Sequence, residues 1–323
     1  MIANNVRTDA AIETEFAIAI AMTADHALMA CGFLAKVRQY HPNNRLYIFT
    51  VEDSLEISAA IAKAFGGETP VLTDKMGMDC LEWGSIVTSK IRVFALETDL
   101  PVVFLDIDQV LTGPLDRFVV DYVRSGHVVA GGADDETLGG QFRAGSLPRD
   151  LDPTETRIIN TGAFIARPDR KIFEGICHAM AEFSGLSRLP TQGLVNGFLY
   201  RNQIPFKVFG DEFMIGPFNS RVTDRPCSAT LIHLWTPRPP FMYPNPRRPG
   251  VDGDLTWQTC VRDFERTNGV AYPYQLLRDL YMEQIAIFER SQGRMLAQVD
   301  RPDGHSRHFS DYVDSQMSTD AQY

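Results

Sequence analysis

The sequence is poor in cysteine, in net positive charge and in long hydrophobic runs, and each shortage excludes a class of protein. Its 323 residues include five cysteines without a CxxC pair, which indicates neither a disulfide framework nor a zinc site. The 31 Lys and Arg against 41 Asp and Glu give a formal net charge of −10, which argues against sequence-independent nucleic-acid binding. The apolar stretch 16–22 is too short for a transmembrane segment and follows Glu13 and Glu15 rather than basic residues. We therefore expect a soluble, cytoplasmic protein without a nucleic-acid partner.

Short apolar runs alternate with helical patterns from residue 16 onwards, which predicts an α/β fold with a mostly parallel sheet. The predicted strands are 16–22, 45–51, 102–108, 127–130, 163–166 and 229–235. The predicted helices are 26–40, 54–65, 83–96, 171–183 and 192–202, with Thr191 as the N-cap of the last one.

The C-terminal part has a different texture. Residues 236–250 are rich in proline and cannot form regular structure, whereas residues 256–297 carry helical periodicity. We predict a flexible arm over 1–15, one catalytic domain over 16–250, a helical extension over 251–300 and a disordered polar tail over 301–323. An apolar stripe within 274–290 either docks on the catalytic domain or forms a homodimer.

Asp106 and Asp108 end the most apolar predicted strand. Because side chains alternate along a strand, the two carboxylates are expected on one face and Ile107 on the other. Two carboxylates about 4 Å apart repel by about 4 kcal/mol at an effective dielectric constant near 20, and a bound cation relieves this repulsion. Oxygen ligands beyond a strand end favour Mg²⁺ or Mn²⁺ with substrate phosphates. The alternative is a simple turn, since Gly113 and Pro114 follow.

Two enzyme classes share such a motif. Residues 106–112 resemble the DxDx(T/V) motif of haloacid-dehalogenase-like phosphatases, in which Asp106 would be the nucleophile and Asp108 an acid/base. Asp134 and Asp135 would then be the later acidic pair. Those proteins usually begin with this strand, however, and here about a hundred residues precede it.

The second class is indicated by short segments that occur in order over residues 16–241. These segments are Met22-Thr23-Ala24-Asp25, Thr88-Ser89-Lys90-Ile91, Phe104-Leu105-Asp106-Ile107-Asp108 with Leu115-Asp116, Asn160-Thr161-Gly162-Ala163-Phe164, residues 191–196 and Ile232-His233. Together they resemble the retaining glycosyltransferases of the glycogenin and lipopolysaccharide galactosyltransferase type (glycosyltransferase family 8). The resemblance implies a GT-A fold and transfer of a sugar from a nucleotide-sugar donor, with uracil as the base.

The resemblance also assigns roles to residues of this chain. Asp106, Asp108 and His233 would hold Mn²⁺ or Mg²⁺, with Ile107 between the two aspartates in the donor site. Lys90 would neutralise the diphosphate, and Thr23 and Asp25 would contact the base. Asn160, Thr161, Gly162 and Gln192 would orient the donor sugar or an acceptor, which is a glycan, a lipid or a protein. A lone histidine in an apolar strand is usually a structural residue, so the metal role of His233 depends mainly on the resemblance.

Three positions depart from the family pattern. Thr191 stands where the family has an acidic residue, and Pro239 replaces a lysine, with Arg238 beside it as a substitute charge. Ala27 stands where an aromatic residue stacks on the base. A non-catalytic protein that binds a nucleotide sugar is therefore an alternative.

Overall fold

The computed structural model describes residues 15–73, 89–134, 136–183, 186, 190–223, 227–234 and 253–296. Its strands are β1 (Ala17–Ala21), β2 (Arg45–Thr50), β3 (Val71–Leu72), β4 (Val102–Leu105), β5 (Gln109–Leu111), β6 (Val129–Ala133), β7 (Ile159–Ala166), β8 (Phe206–Phe209), β9 (Met214–Ile215) and β10 (Leu231–His233). Its α-helices are α1 (Ala27–Tyr40), α2 (Leu55–Ala64), α3 (Asp116–Ser125), α4 (Arg170–Phe183), α5 (Pro190–Arg201), α6 (Gly253–Asn268) and α7 (Tyr274–Leu296).

The central sheet has seven strands in the order β3-β2-β1-β4-β7-β6-β8. β7 is antiparallel to both of its neighbours, and the remaining strands run in one direction. Both faces of β1 are buried: Ile18 and Ile20 contribute to one apolar cluster, and Ala17 and Ala19 to another. A strand covered on both faces is apolar throughout, which is why this one was recognisable in the sequence. The predicted α/β architecture is confirmed.

A smaller sheet in the order β5-β10-β9 lies beside the main one. The predicted strand 102–108 is too long at its end: β4 stops at Leu105, and a separate strand, β5, begins at Gln109. The main chain leaves β4 at Asp106, whose N–H donates to the Gly162 carbonyl at 2.7 Å. Asp106 and Asp108 therefore lie in the link between the two sheets, and not on a continuous strand.

Other predicted boundaries also shift. The strand predicted at 163–166 begins at Ile159, and the strand predicted at 127–130 covers Val129–Ala133. In the predicted helix 83–96 the described part is a 3₁₀ helix, Ser89–Ala95, and residues 83–88 lie outside the described residues. Thr191 is not an N-cap, because α5 already begins at Pro190, a residue whose fixed φ suits the first helical position.

The C-terminal helix α7 packs on the α/β domain. Its buried residues Leu277, Tyr281, Ile285 and Phe288 recur at helical spacing and belong to the same apolar cluster as β1 and α1. Gly32 of α1 makes room for Ile285, because a Cβ on Gly32 would lie 3.3 Å from the Ile285 Cα. Docking therefore accounts for the apolar stripe, and a homodimer stays a prediction. None of the helices among the described residues is both long enough and apolar enough to cross a membrane.

Candidate metal centre and donor site

Asp106, Asp108 and His233 come together at the carboxyl edge of the main sheet. One potential ligand atom from each side chain lies within 4.8 Å of the others. The Nε2 atom of His233 is 3.4 Å from Asp108 Oδ1 and 3.8 Å from Asp106 Oδ2. The small sheet creates this arrangement: β10 ends at His233, and the next N–H, that of Leu234, donates to the Asp108 carbonyl at 2.9 Å.

These residues suit a divalent cation. The His233 side chain is 8% exposed, and its Nε2 is buried without a hydrogen-bond partner among the described residues. A buried polar atom left unsatisfied costs about 1–3 kcal/mol, which a metal bond would offset. One imidazole and two carboxylates are ligands that Mn²⁺ accepts.

The electrostatics of Asp106 favour the same interpretation. Burial raises the pKa of Asp106, the nearby Lys90 ammonium opposes this rise, and the Asp108 carboxylate adds to it. A cation bound between the two carboxylates would stabilise their ionised forms.

A glycine is needed at position 162 because the His233 imidazole packs directly against it. A Cβ built on Gly162 would lie 2.6 Å from His233 Nδ1 and 2.9 Å from Asn160 Oδ1. Gly162 also accepts at its carbonyl from the Asp106 N–H and from Gln109 Nε2, the latter at 2.8 Å. The glycine expected to allow close approach of a sugar thus already allows close approach of the proposed ligand His233.

Lys90 lies next to the acidic pair, as its position in the sequence predicts. Its Nζ donates to Asp106 Oδ2 at 2.8 Å and to the Thr161 carbonyl at 3.2 Å, and it lies 5.4 Å from the centre of the Phe104 ring. The 3₁₀ helix Ser89–Ala95 buries its apolar residues and holds Lys90 at the strand ends. A cation is therefore fixed beside the candidate metal centre.

Asn160 and Gln192 are held by Asp134, a partner that the glycosyltransferase interpretation of the sequence missed. Asp134 Oδ2 accepts from Asn160 Nδ2 and from Gln192 Nε2, both at 2.9 Å. The amide oxygens accept in turn from main-chain N–H groups: Asn160 Oδ1 from Gly162 at 2.8 Å and Gln192 Oε1 from Thr161 at 3.1 Å. Each amide keeps one N–H and one lone pair for a ligand.

The position of Asp134 provided a signal that could have identified it. It follows β6, and β6 runs in the same direction as β4, which Asp106 follows. Carboxyl ends of such strands meet at one edge of the sheet, and the antiparallel β7 enters the sheet at that edge with Asn160. Burial raises the pKa of Asp134, while its hydrogen bonds from the Glu136 N–H, Gln192 and Asn160 act in the opposite direction.

Two residues of the predicted sugar-binding segments, Thr161 and Asn196, are buried. The main chain of Thr161 accepts a hydrogen bond from Lys90 Nζ and donates one to Gln192 Oε1. Asn196, on the same side of α5 as Gln192, is fully buried and clamps β7, accepting from the Ile159 N–H at 3.0 Å and donating to the Ile159 carbonyl at 2.9 Å. It therefore supports β7 rather than facing solvent.

The remaining predicted residues are Thr23, Asp25, Ile107 and Arg238. Thr23 and Asp25 follow β1, and the Thr23 hydroxyl lies 2.8 Å from His26 Nδ1. Ile107 is buried in the apolar cluster that contains β1 and α1, and its place in the donor site stays a prediction. Arg238 and Pro239 lie outside the described residues.

No protein-family model and no curated protein matches this chain. Solved structures do match. Galactosyltransferase LgtC in complex with donor and acceptor sugar analogues aligns at 16% identity and a TM-score of 0.50, covering 79% of this chain and 95% of that one. The bifunctional glycosyltransferase WbbM aligns at 12% identity and a TM-score of 0.52, covering 86% of this chain and 53% of that one. The chain has the GT-A fold.

Within this GT-A fold the site lies where open α/β sheets bind ligands, beyond the carboxyl ends of the strands. The phosphatase interpretation of Asp106 and Asp108 stays an untested alternative, because the likeness to LgtC and WbbM shows the fold alone. Asp135, half of its later acidic pair, lies outside the described residues. Membership of glycosyltransferase family 8 stays a prediction.

Proposed function

We propose that this protein is a metal-dependent glycosyltransferase that moves a sugar from a UDP-sugar donor to an acceptor, with retention of configuration. The observation that carries the proposal is the buried Nε2 of His233, which has no hydrogen-bond partner in the described part of the chain and faces two carboxylates with Lys90 beside them. The structural neighbour LgtC was solved with donor and acceptor sugar analogues, which supports a nucleotide-sugar donor. The choice of UDP and the retention of configuration come from the sequence resemblance.

A Mn²⁺ or Mg²⁺ ion held by Asp106, Asp108 and His233 would supply electrostatic stabilisation of the leaving diphosphate. Lys90 contributes a second positive charge, and it is fixed before substrate arrives by Asp106 and the Thr161 carbonyl. Such preorganised charge is effective because it needs no rearrangement as negative charge develops on the leaving group. By the sequence resemblance, Arg238 would supply the charge of the lysine that Pro239 replaces.

Asn160 and Gln192 bind and orient the donor sugar or the acceptor. Their shared contact with Asp134 fixes which end of each amide donates, so the free N–H and lone pair have defined directions. Directional hydrogen bonds of this kind discriminate among sugar hydroxyls. Thr23 and Asp25, after β1, would contact the base.

A protein that binds the nucleotide sugar without turning it over is the second candidate. Thr191 favours it, because the family has an acidic residue at this position and Thr191 is a buried residue of the first turn of α5. The acceptor class, whether glycan, lipid or protein, is not assigned.

Calorimetric titration with UDP, with and without Mn²⁺, tests the binding part of the proposal. We expect Mn²⁺-dependent UDP binding that Asp108→Ala weakens by more than about 10–100-fold, the usual cost of losing only a group that orients a metal ligand. Asp99→Ala is the matched control, because Asp99 is exposed and precedes β4 at the opposite edge of the sheet. Unchanged UDP affinity in Asp108→Ala would contradict the site.

Hydrolysis of a panel of UDP-sugars then separates enzyme from binder. We expect release of UDP from at least one donor by the wild type and by Asp99→Ala, and none by Asp108→Ala. Mn²⁺-dependent UDP binding without turnover of any donor, in the presence of a broad acceptor panel, would favour the binder.

A further inference from the structure

The outer edge of β5 is paired by a side chain of the C-terminal helix. Gln284 of α7 is 1% exposed; its Oε1 accepts from the Leu111 N–H at 2.9 Å, and its Nε2 donates to the Gln109 carbonyl at 3.1 Å. The side-chain amide carries the same donor and acceptor groups as a peptide unit. Gln284 therefore completes the hydrogen bonding of an edge strand that is otherwise paired only with β10 in the described structure.

β5 connects this contact to the candidate metal centre. Asp108 immediately precedes β5, and on its inner edge β5 pairs with β10 in a register that places Gln109 opposite His233. The Gln109 side chain continues inwards and donates to the Gly162 carbonyl, which also accepts from the Asp106 N–H. A displacement of β5 would thus move Asp108 and His233 relative to each other.

Packing alone does not explain a glutamine at this position. The neighbouring buried residues of α7 are apolar, namely Leu277, Tyr281, Ile285 and Phe288. A buried amide is unfavourable unless it is hydrogen bonded, so an apolar side chain of similar volume would dock the helix as well. What the amide adds is the pair of hydrogen bonds to β5.

We propose that Gln284 is a positioning residue for the metal centre: by fixing β5, it holds Asp108 and His233 at metal-binding distance. The helical extension is then part of the site, although α7 contributes no metal ligand in this assignment. The metal-binding readout of this inference rests on the proposed function.

Gln284→Met tests the inference, because methionine keeps similar volume and loses both hydrogen bonds. We expect Mn²⁺ affinity, measured by electron paramagnetic resonance or calorimetry, to fall by about 10-fold, at the low end of the effect of losing groups that orient metal ligands. We also expect faster hydrogen exchange of the Leu111 N–H and of the amides of β10.

Ile285→Ala is the matched control on the same helix. It removes packing against Gly32 and leaves both hydrogen bonds of Gln284 in place. It should lower the melting temperature while Mn²⁺ affinity and β10 exchange, measured well below that temperature, stay near wild type. If Ile285→Ala weakens Mn²⁺ binding as much as Gln284→Met, helix docking and not Gln284 is responsible, and the inference is overturned.

The exchange measurement separates this inference from the proposed function. If the wild type binds no Mn²⁺, the proposed function fails, and β10 exchange still decides whether Gln284 holds the strand. Gln284→Met with wild-type exchange at Leu111 and in β10 overturns the positioning role, whatever the metal result.

Discussion

Substitution of Gly162 by alanine offers the sharpest test of the link between the "NTG" segment and the metal centre. The backbone of Gly162 is not in the left-handed region, so alanine is compatible with its conformation and with a strand. The added methyl group, however, would lie 2.6 Å from His233 Nδ1. The added methyl group would therefore clash with the His233 imidazole.

The geometry sets the magnitude. Carbon–heavy-atom contacts settle at about 3.5 Å, so the ring must move by about 1 Å, whereas metal–ligand distances tolerate about 0.2 Å. We expect Mn²⁺ affinity to fall by about 10–100-fold and donor turnover to fall with it. Overpacking of this kind also lowers the free energy of unfolding by about 1–3 kcal/mol.

Calorimetry with Mn²⁺ and UDP, together with urea unfolding, measures both effects. Gly113→Ala is the control, because a Cβ there meets nothing within 4 Å and the backbone is equally permissive. In a His233→Ala background the Gly162→Ala substitution should cost less stability, since the clash with the imidazole has gone and only the close approach to Asn160 Oδ1 remains. A folded Gly162→Ala protein that binds Mn²⁺ as tightly as wild type would refute the reasoning.

Two further predictions concern the charged groups of the site. Lys90→Met should lower the turnover number by about 10²–10³-fold, the usual cost of losing a preorganised charge-stabilising group, without weakening Mn²⁺ binding. As a control, Lys36→Met removes a lysine paired with Glu283 and should leave steady-state turnover unchanged. Full activity of Lys90→Met would contradict the role of Lys90. Burial raises the pKa of Asp134, so the folded state binds the carboxyl proton of Asp134 more tightly than the unfolded state does. The free energy of unfolding should therefore fall as the pH rises from the ordinary carboxyl pKa of about 4 through the raised pKa. Urea unfolding across this window should show less pH dependence for Asp134→Asn, and a pH-independent difference from wild type would exclude this effect.

Much of the fold was predictable because the central strands are buried on both faces. β1, β2 and β4 are apolar runs between recognisable helices, so periodicity and length were sufficient. The failures lie where long-range hydrogen bonds override local pattern. The Asp106 N–H still pairs with the Gly162 carbonyl of β7, whereas the Asp108 carbonyl accepts from Leu234 beside β10, so the chain changes sheets between the two aspartates. The 3₁₀ form of residues 89–95 is not distinguishable from an α-helix by apolar spacing.

The sequence by itself identified the functional groups of the candidate site: a pair of carboxylates after an apolar strand, a lysine, two amides and a late histidine. Their order along the chain resembles that of a glycosyltransferase. Only the tertiary structure brought His233 to Asp108, showed that Gly162 accommodates the imidazole, and revealed Asp134 and Gln284 as partners. These contacts join residues far apart in the chain through the antiparallel β7 and the small sheet. The sequence gives the type of each side chain directly. Which side chains lie close together depends on strand direction and register, which short sequence patterns do not determine.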